Sequence, residues 1–131
     1  MEKSINQAMI LKEMFNITAV ADQFPWQHFR EGIEIYRLYG DGESGSASAL
    51  LRYQPGARVP AHHHQGFEHI LVLSGSQTDN NGEHAVGTLV INPPGSGHCV
   101  VSSEGCIVLA IWEKPITIDR LMESSPIGFN P

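Results

Sequence analysis

Apolar and polar residues alternate with a period of two along most of this chain, which predicts strands rather than helices. Ile33-Glu-Ile-Tyr-Arg-Leu-Tyr39 puts Ile33, Ile35, Arg37 and Tyr39 on one face and Glu34, Tyr36 and Leu38 on the other. Ser46 to Gln54 has its more apolar face in Ala47, Ala49, Leu51 and Tyr53, and that face is expected to point inward. Further strands are predicted over 57–64, 67–78, 83–86, 88–92, 98–102 and 106–112. The breaks between them have turn composition: Gly40-Asp-Gly-Glu-Ser-Gly45, Pro55-Gly56, Asp79-Asn-Asn-Gly82, Pro93-Pro-Gly-Ser-Gly97 and Ser103-Glu-Gly105. Asn81-Gly82 can adopt the positive φ angles of a tight hairpin. Gly75, inside an apolar run, predicts a bend or bulge. About nine short strands with frequent turns imply an all-β antiparallel sandwich or barrel.

The two ends are less regular. Residues 8–15 are read as a short strand, and Phe24-Pro-Trp-Gln-His-Phe29 as a packed aromatic loop with His28 at the surface. Pro115 is expected to end the barrel, leaving room for one helical turn over 118–123. The expected division is an N-terminal arm over 1–31 serving as an interface, a barrel over 32–114 and a C-terminal tail over 115–131.

Composition narrows the function. A chain of 131 residues is one domain, and its 13 glycines and 8 prolines suit many tight turns. A formal net charge of −6, with only 8 scattered Lys and Arg, makes nucleic acid and anionic membranes poor partners. No stretch approaches the roughly 20 apolar residues of a membrane span. Lys12 and Glu13 interrupt the one early apolar run, so no secretory signal is read and a cytoplasmic location is expected. Cys99 and Cys106 do not form a C-x-x-C pair, which excludes a cysteine zinc site and predicts two reduced, partly buried thiols.

The stretch from Gly56 to Gly75 carries the chemistry. His62 and His64 are two residues apart and share a strand face, whereas His63 points away. Glu68 follows four residues later, and His98 comes after a Pro/Gly turn that ends another apolar run. Imidazoles with a carboxylate suit a divalent first-row transition metal better than Ca²⁺ or Mg²⁺. The candidate ligands are therefore His62, His64, Glu68 and His98. His63 and His69 are out of phase with them, and His84 lies on a return strand; all three are left out.

The spacing of these residues resembles the cupin superfamily. Gly56 to Gly75 fits the first cupin motif, G-x5-H-x-H-x3-E-x6-G, at every defined position. Gly87 to Ser102 fits the second, G-x5-P-x-G-x2-H-x3-N, except that Ser102 stands where the motif has asparagine. The resemblance implies a double-stranded β-helix, the jelly-roll barrel, with a metal on three histidines and one glutamate. Fe, Zn, Mn, Ni, Co and Cu are all used by the family. Residues 32–114 further resemble the cupin domain of ChrR-type anti-sigma factors, in Ala49-Leu-Leu-Arg-Tyr-Gln-Pro-Gly-Ala-Arg-Val-Pro60 and Asn92-Pro-Pro-Gly-Ser-Gly-His98. ChrR proteins hold their sigma factor with an N-terminal Cys/His zinc domain. The first thirty residues have no such cluster, so sigma-factor binding does not carry over.

Related small cupins include dioxygenases that cleave diketones and aryl ketones. The resemblance thus implies a metal-dependent enzyme of dioxygenase type acting on a small molecule, in a cavity walled by Leu51, Tyr53, Ile70, Val72 and Val100. The alternatives are a non-catalytic sensory or regulatory metal-binding module, and a metal-dependent isomerase or sugar-modifying cupin. A homodimer built from residues 1–40 is expected, because the aromatics Trp26 and Phe29 have no evident place inside a small barrel.

Overall fold

The computed structural model describes residues 6–118. They form ten strands: β1 (Gln27–Arg30), β2 (Ile33–Tyr39), β3 (Ala47–Tyr53), β4 (Ala57–His64), β5 (Glu68–Asp79), β6 (Gly82–Ala85), β7 (Leu89–Asn92), β8 (Gly97–Ser102), β9 (Cys106–Trp112) and β10 (Ile116–Ile118). The pairings are antiparallel, in the order β1-β2-β3-β9-β5-β8-β4-β10, with β6 and β7 also on β5. The sheet curls into a jelly-roll barrel, the all-β architecture expected from the motifs.

Strand β5 belongs to both walls of the barrel. Its first part, from Glu68 to Gly75, pairs with β9 and β7; its last residues pair with β6 and touch β8 through Thr78 and Val101. Gly75 makes the transition at φ +72°, where a Cβ would collide with the Gly105 carbonyl. Only glycine satisfies both constraints, so the bend read from the sequence has a steric cause.

The interior follows the pattern of alternation. Ile33, Ile35, Ala49, Leu51, Val72 and Val108 belong to one buried cluster, joined by Val59 and Val100 from the opposite wall. In β2 the alternation fails at its end. The register slips between Arg37 and Tyr39, so Leu38 is buried rather than facing out with Glu34 and Tyr36. Strand β3 is covered on both faces, because Leu50 enters a second cluster outside the barrel.

That second cluster corrects the reading of the N-terminal residues. Residues 8–15 form no strand; the chain makes a 3-10 turn at Met14–Asn16, a short helix α1 (Ile17–Val20) and another 3-10 turn at Ala21–Gln23. Ile17 and Ala21 pack on Leu50, Leu73 and Ile107, with Phe24 and Trp26 beside them. Phe24 stacks on Tyr36 at 5.1 Å, and Arg52 lies 4.5 Å over the Trp26 ring. A short apolar run can form either strand or helical turn; packing against the sheet's outer face decides for the turn. The aromatic loop is likewise partly a strand, since β1 begins two residues after Pro25 and pairs with β2. Trp26 and Phe29 both have intramolecular places, which removes the reason given for assigning them to an interface.

Pairing also continues past Pro115, where β10 lies along His62–His64 of β4. Most of the helical turn expected over 118–123 lies outside the described residues. Cys99 and Cys106 are free thiols, half-buried and buried respectively. No helix among the described residues is long and apolar enough to cross a membrane.

Candidate metal centre

His62 and His64 point inward from β4 because they share its pleat, and both are buried. His98 sits directly across from His62 in the β4–β8 pairing. Glu68 opens β5, on the wall that faces them. The four side chains offer ligand atoms that all lie within 4.8 Å of one another, and all four are buried. The structure therefore brings together every ligand candidate read from the sequence. His28 and His63 are exposed, and His69 is in register with the exposed Ile91 and Ile111 on the outer face. His84 bonds to Asp79 rather than to the cluster.

The outer nitrogen of each cluster histidine is held by a different group. His62 Nδ1 lies 2.9 Å from the Pro60 carbonyl, which can only accept, so Nδ1 carries the hydrogen. His64 Nδ1 lies 2.8 Å from Ser96 Oγ, whose own hydrogen goes to the Pro93 carbonyl at 2.6 Å. His98 Nδ1 faces the Asp79 carboxylate at 3.4 Å. All three rings are thus fixed with Nδ1–H outward and the Nε2 lone pair inward.

Glu68 is fixed from behind. Asn92 Nδ2 donates to Oε1 at 3.0 Å and Trp112 Nε1 donates to Oε2 at 2.8 Å. Burial alone would raise the Glu68 carboxyl, but His64, His62 and His98, when they carry the extra proton, outweigh it and hold it at about 2. His62 is pushed the other way: burial holds it down at about 4, against its bond to Pro60. A carboxylate at Glu68 and a neutral imidazole at His62 are protonation states that metal ligation requires.

Three lone pairs and a carboxylate converge here with no hydrogen between them. His64 Nε2 lies 3.0 Å from Glu68 Oε1, yet it is a buried nitrogen without a hydrogen-bond partner. Two acceptors at that distance gain nothing from each other. A cation satisfies all four atoms at once, so the donor set fits a divalent transition metal.

A cavity of about 30 Å³ adjoins the cluster, with Leu51, Val59, Ile70, Val100, Phe29 and Trp112 among its walls. Tyr53 and Gln77 add polar groups to that wall. Val72, expected there, is buried in the core but does not line the cavity. A larger cavity of about 190 Å³ shares Phe29, Trp112 and Ile116 with it.

Sequence reasoning missed the groups that hold the ligands: Asn92, Ser96, Trp112 and Asp79. Their signal was weak but present. Asn92 and Ser96 are polar residues flanking Pro93 within the second motif, and Asp79 opens the hairpin turn. Ser102 did stand out as a departure from the motif. It is completely buried and donates to the Ser76 carbonyl at 2.6 Å, joining β8 to β5.

A family model described as the ChrR cupin-like domain matches residues 15–115. No curated protein matches the chain. Among solved structures, it resembles one of Rhodobacter sphaeroides SigE in complex with the anti-sigma ChrR. The match has 28% identity and a TM-score of 0.62, covering 73% of this chain and 54% of that one. It also resembles an acetylacetone dioxygenase from Acinetobacter johnsonii, with 17% identity and a TM-score of 0.69, covering 97% and 89%. A third is a cupin-like protein of unknown function from Ralstonia eutropha JMP134, with 22% identity and a TM-score of 0.57, covering 63% and 55%. The chain spans little more than half of the ChrR-complex and Ralstonia chains. The family match runs from the first 3-10 turn to Pro115 and takes in the whole ligand set, so this protein belongs to the ChrR cupin-like domain family.

Proposed function

We propose that this protein is a metal-dependent enzyme of dioxygenase type that acts on a small oxygenated molecule. The observation that supports it is the convergence of three Nε2 lone pairs and one carboxylate beside an apolar cavity. His62, His64, Glu68 and His98 would hold the ion. A first-row metal held there would supply Lewis acidity toward a substrate oxygen and, as iron, reactivity with O₂.

The chain's own residues supply orientation and a largely apolar wall. Asn92 and Trp112 keep the Glu68 carboxylate from rotating away. Phe29, Ile70, Val100 and Trp112 line the inner cavity with apolar surface. Burial raises the Tyr53 phenol far above its ordinary range, so it stays protonated beside Gln77 and can orient a substrate oxygen. The larger cavity, which shares Phe29, Trp112 and Ile116 with the inner one, would be the approach for a small molecule. Small 1,3-diketones are the substrate class to try first, by likeness to the acetylacetone dioxygenase.

A second reading, a non-catalytic regulatory metal-binding module, is favoured by the higher identity, 28%, to the ChrR-complex structure. The test is the metal content of protein purified without chelator, followed by O₂ uptake with a panel of 1,3-diketones. Bound iron with substrate-dependent uptake supports the enzyme. Stoichiometric zinc with no turnover supports the regulatory module.

A further inference from the structure

Asp79 is not a ligand, yet it is 1% exposed and both of its oxygens are engaged. Oδ1 accepts from the Asn81 backbone N–H at 2.8 Å and lies 2.9 Å from His84 Nε2. Oδ2 lies 3.4 Å from His98 Nδ1. Capping the hairpin turn requires one oxygen, and an asparagine would serve for it. The second oxygen and the charge are left for His98.

The turn is also docked on the strand that carries His98. Asn80 Oδ1 accepts from the Cys99 backbone N–H at 3.3 Å, one residue beyond His98. Across the hairpin, β6 brings His84 to the Asp79 carboxylate, and its side chain is 14% exposed. The result is a continuous line from Glu68 through His98 and Asp79 to His84 at the surface. His62 and His64 are steadied only by neutral groups, a carbonyl and a hydroxyl. His98 alone among the three has a carboxylate behind it.

We propose that Asp79 is a positioning residue for the metal, and that His84 in turn orients Asp79. Asp79 holds the His98 ring in the Nδ1–H form at a fixed angle, and its negative charge makes the His98 Nε2 lone pair a stronger donor to the ion. His84 keeps the carboxylate turned toward His98 by engaging the other oxygen. This inference rests on the metal reading of the His62, His64, Glu68 and His98 cluster.

The test uses the full chain with Zn²⁺ and Co²⁺. Zn²⁺ affinity is measured by chelator competition, and the Co²⁺ visible spectrum reports ligand geometry. Asp79→Asn should weaken Zn²⁺ binding by about 10- to 100-fold and shift the Co²⁺ bands. His84→Ala should weaken it in the same direction by less than about 10-fold, and His84→Gln, which keeps an N–H donor, should recover most of the loss. A wild-type chain that binds neither ion, as His98→Ala should, overturns the metal reading itself. A wild-type chain that binds, with Asp79→Asn unchanged in affinity and spectrum, overturns this inference alone. If Asp79→Asn does not fold, the His84 pair decides: equal affinity in wild type, His84→Ala and His84→Gln overturns it.

Discussion

Glu68 and Asp79 stand at opposite ends of β5 and address opposite nitrogens of one ring: Glu68 Oε1 lies 3.7 Å from His98 Nε2, and Asp79 Oδ2 lies 3.4 Å from His98 Nδ1. A straight strand would separate their Cα atoms by roughly 35 Å, at about 3.3 Å per residue. Two carboxylates can flank one imidazole only because β5 bends between the barrel walls. The bend at Gly75 therefore shapes the site as well as the fold.

Replacing Gly75 is expected to be costly. Gly75→Ala places a side chain at φ +72° and drives its Cβ into the Gly105 backbone. The left-handed backbone alone costs roughly 1–2 kcal/mol, and the collision adds to it. Gly56→Ala, at φ +86° with open space around it, should show the backbone cost only. Urea unfolding of the two variants measures the difference; equal losses would mean that the Gly75–Gly105 contact yields freely.

The ligand assignment separates neighbours in sequence. His62→Ala and His98→Ala should each lose most bound metal, whereas the exposed His63→Ala should keep it. Elemental analysis of the purified variants reads the outcome. Similar losses in all three would contradict the placement of His62 and His64 on one pleat.

Acid should destabilise the metal-free protein in a defined window. Folded His62 is held at about 4, below its ordinary 6.5. Between those values the unfolded chain takes up a proton that the folded chain refuses, so stability falls as pH drops from about 6.5 toward 4. Glu68, held at about 2 against an ordinary 4.5, adds stability above about 4.5 that is lost as pH falls toward 2. The metal-loaded protein should melt higher than the metal-free protein, and the gap should close as pH approaches 4, where folded His62 begins to take up a proton in competition with the ion. Melting curves of both forms from pH 8 to pH 4 provide the check; a constant gap down to pH 4 would exclude a proton-competitive ion at His62.

A homodimer remains the expected assembly, with its contact now moved within the arm. Trp26 and Phe29 are occupied, but Phe15 is 100% exposed and Ile10 72% exposed on the segment that covers the sheet. A second copy packing there would bury both. Light scattering at micromolar concentration should give twice the chain mass, and Phe15→Ser should shift it toward the monomer. A wild-type monomer mass would refute the assignment.

The four clustered side chains were legible because strand alternation and motif spacing are local. His62, His64 and Glu68 fall within seven residues, and His98 announces itself after the Pro/Gly turn. The barrel was legible for the same reason, from alternating runs punctuated by glycine. The groups that hold the ligands depend on register between distant strands. Trp112 reaches Glu68 across 44 residues and Ser96 reaches His64 across 32, and no local pattern specifies either pairing. The arm was misread because Ile10 to Phe15 is too short for its period to distinguish strand from helical turn. Its conformation is set by what lies beneath it, Leu50, Leu73 and Ile107. The slip in β2 at Arg37–Tyr39 was likewise invisible, since a bulge leaves the alternation of the sequence untouched.

Asp79 also changes the charge inventory of the barrel interior. Glu68 and Asp79, each held at about 2, place two negative charges on either side of the His98 ring. A divalent cation bound at the cluster would offset both. The bent strand that supplies both carboxylates would thereby favour a divalent cation there.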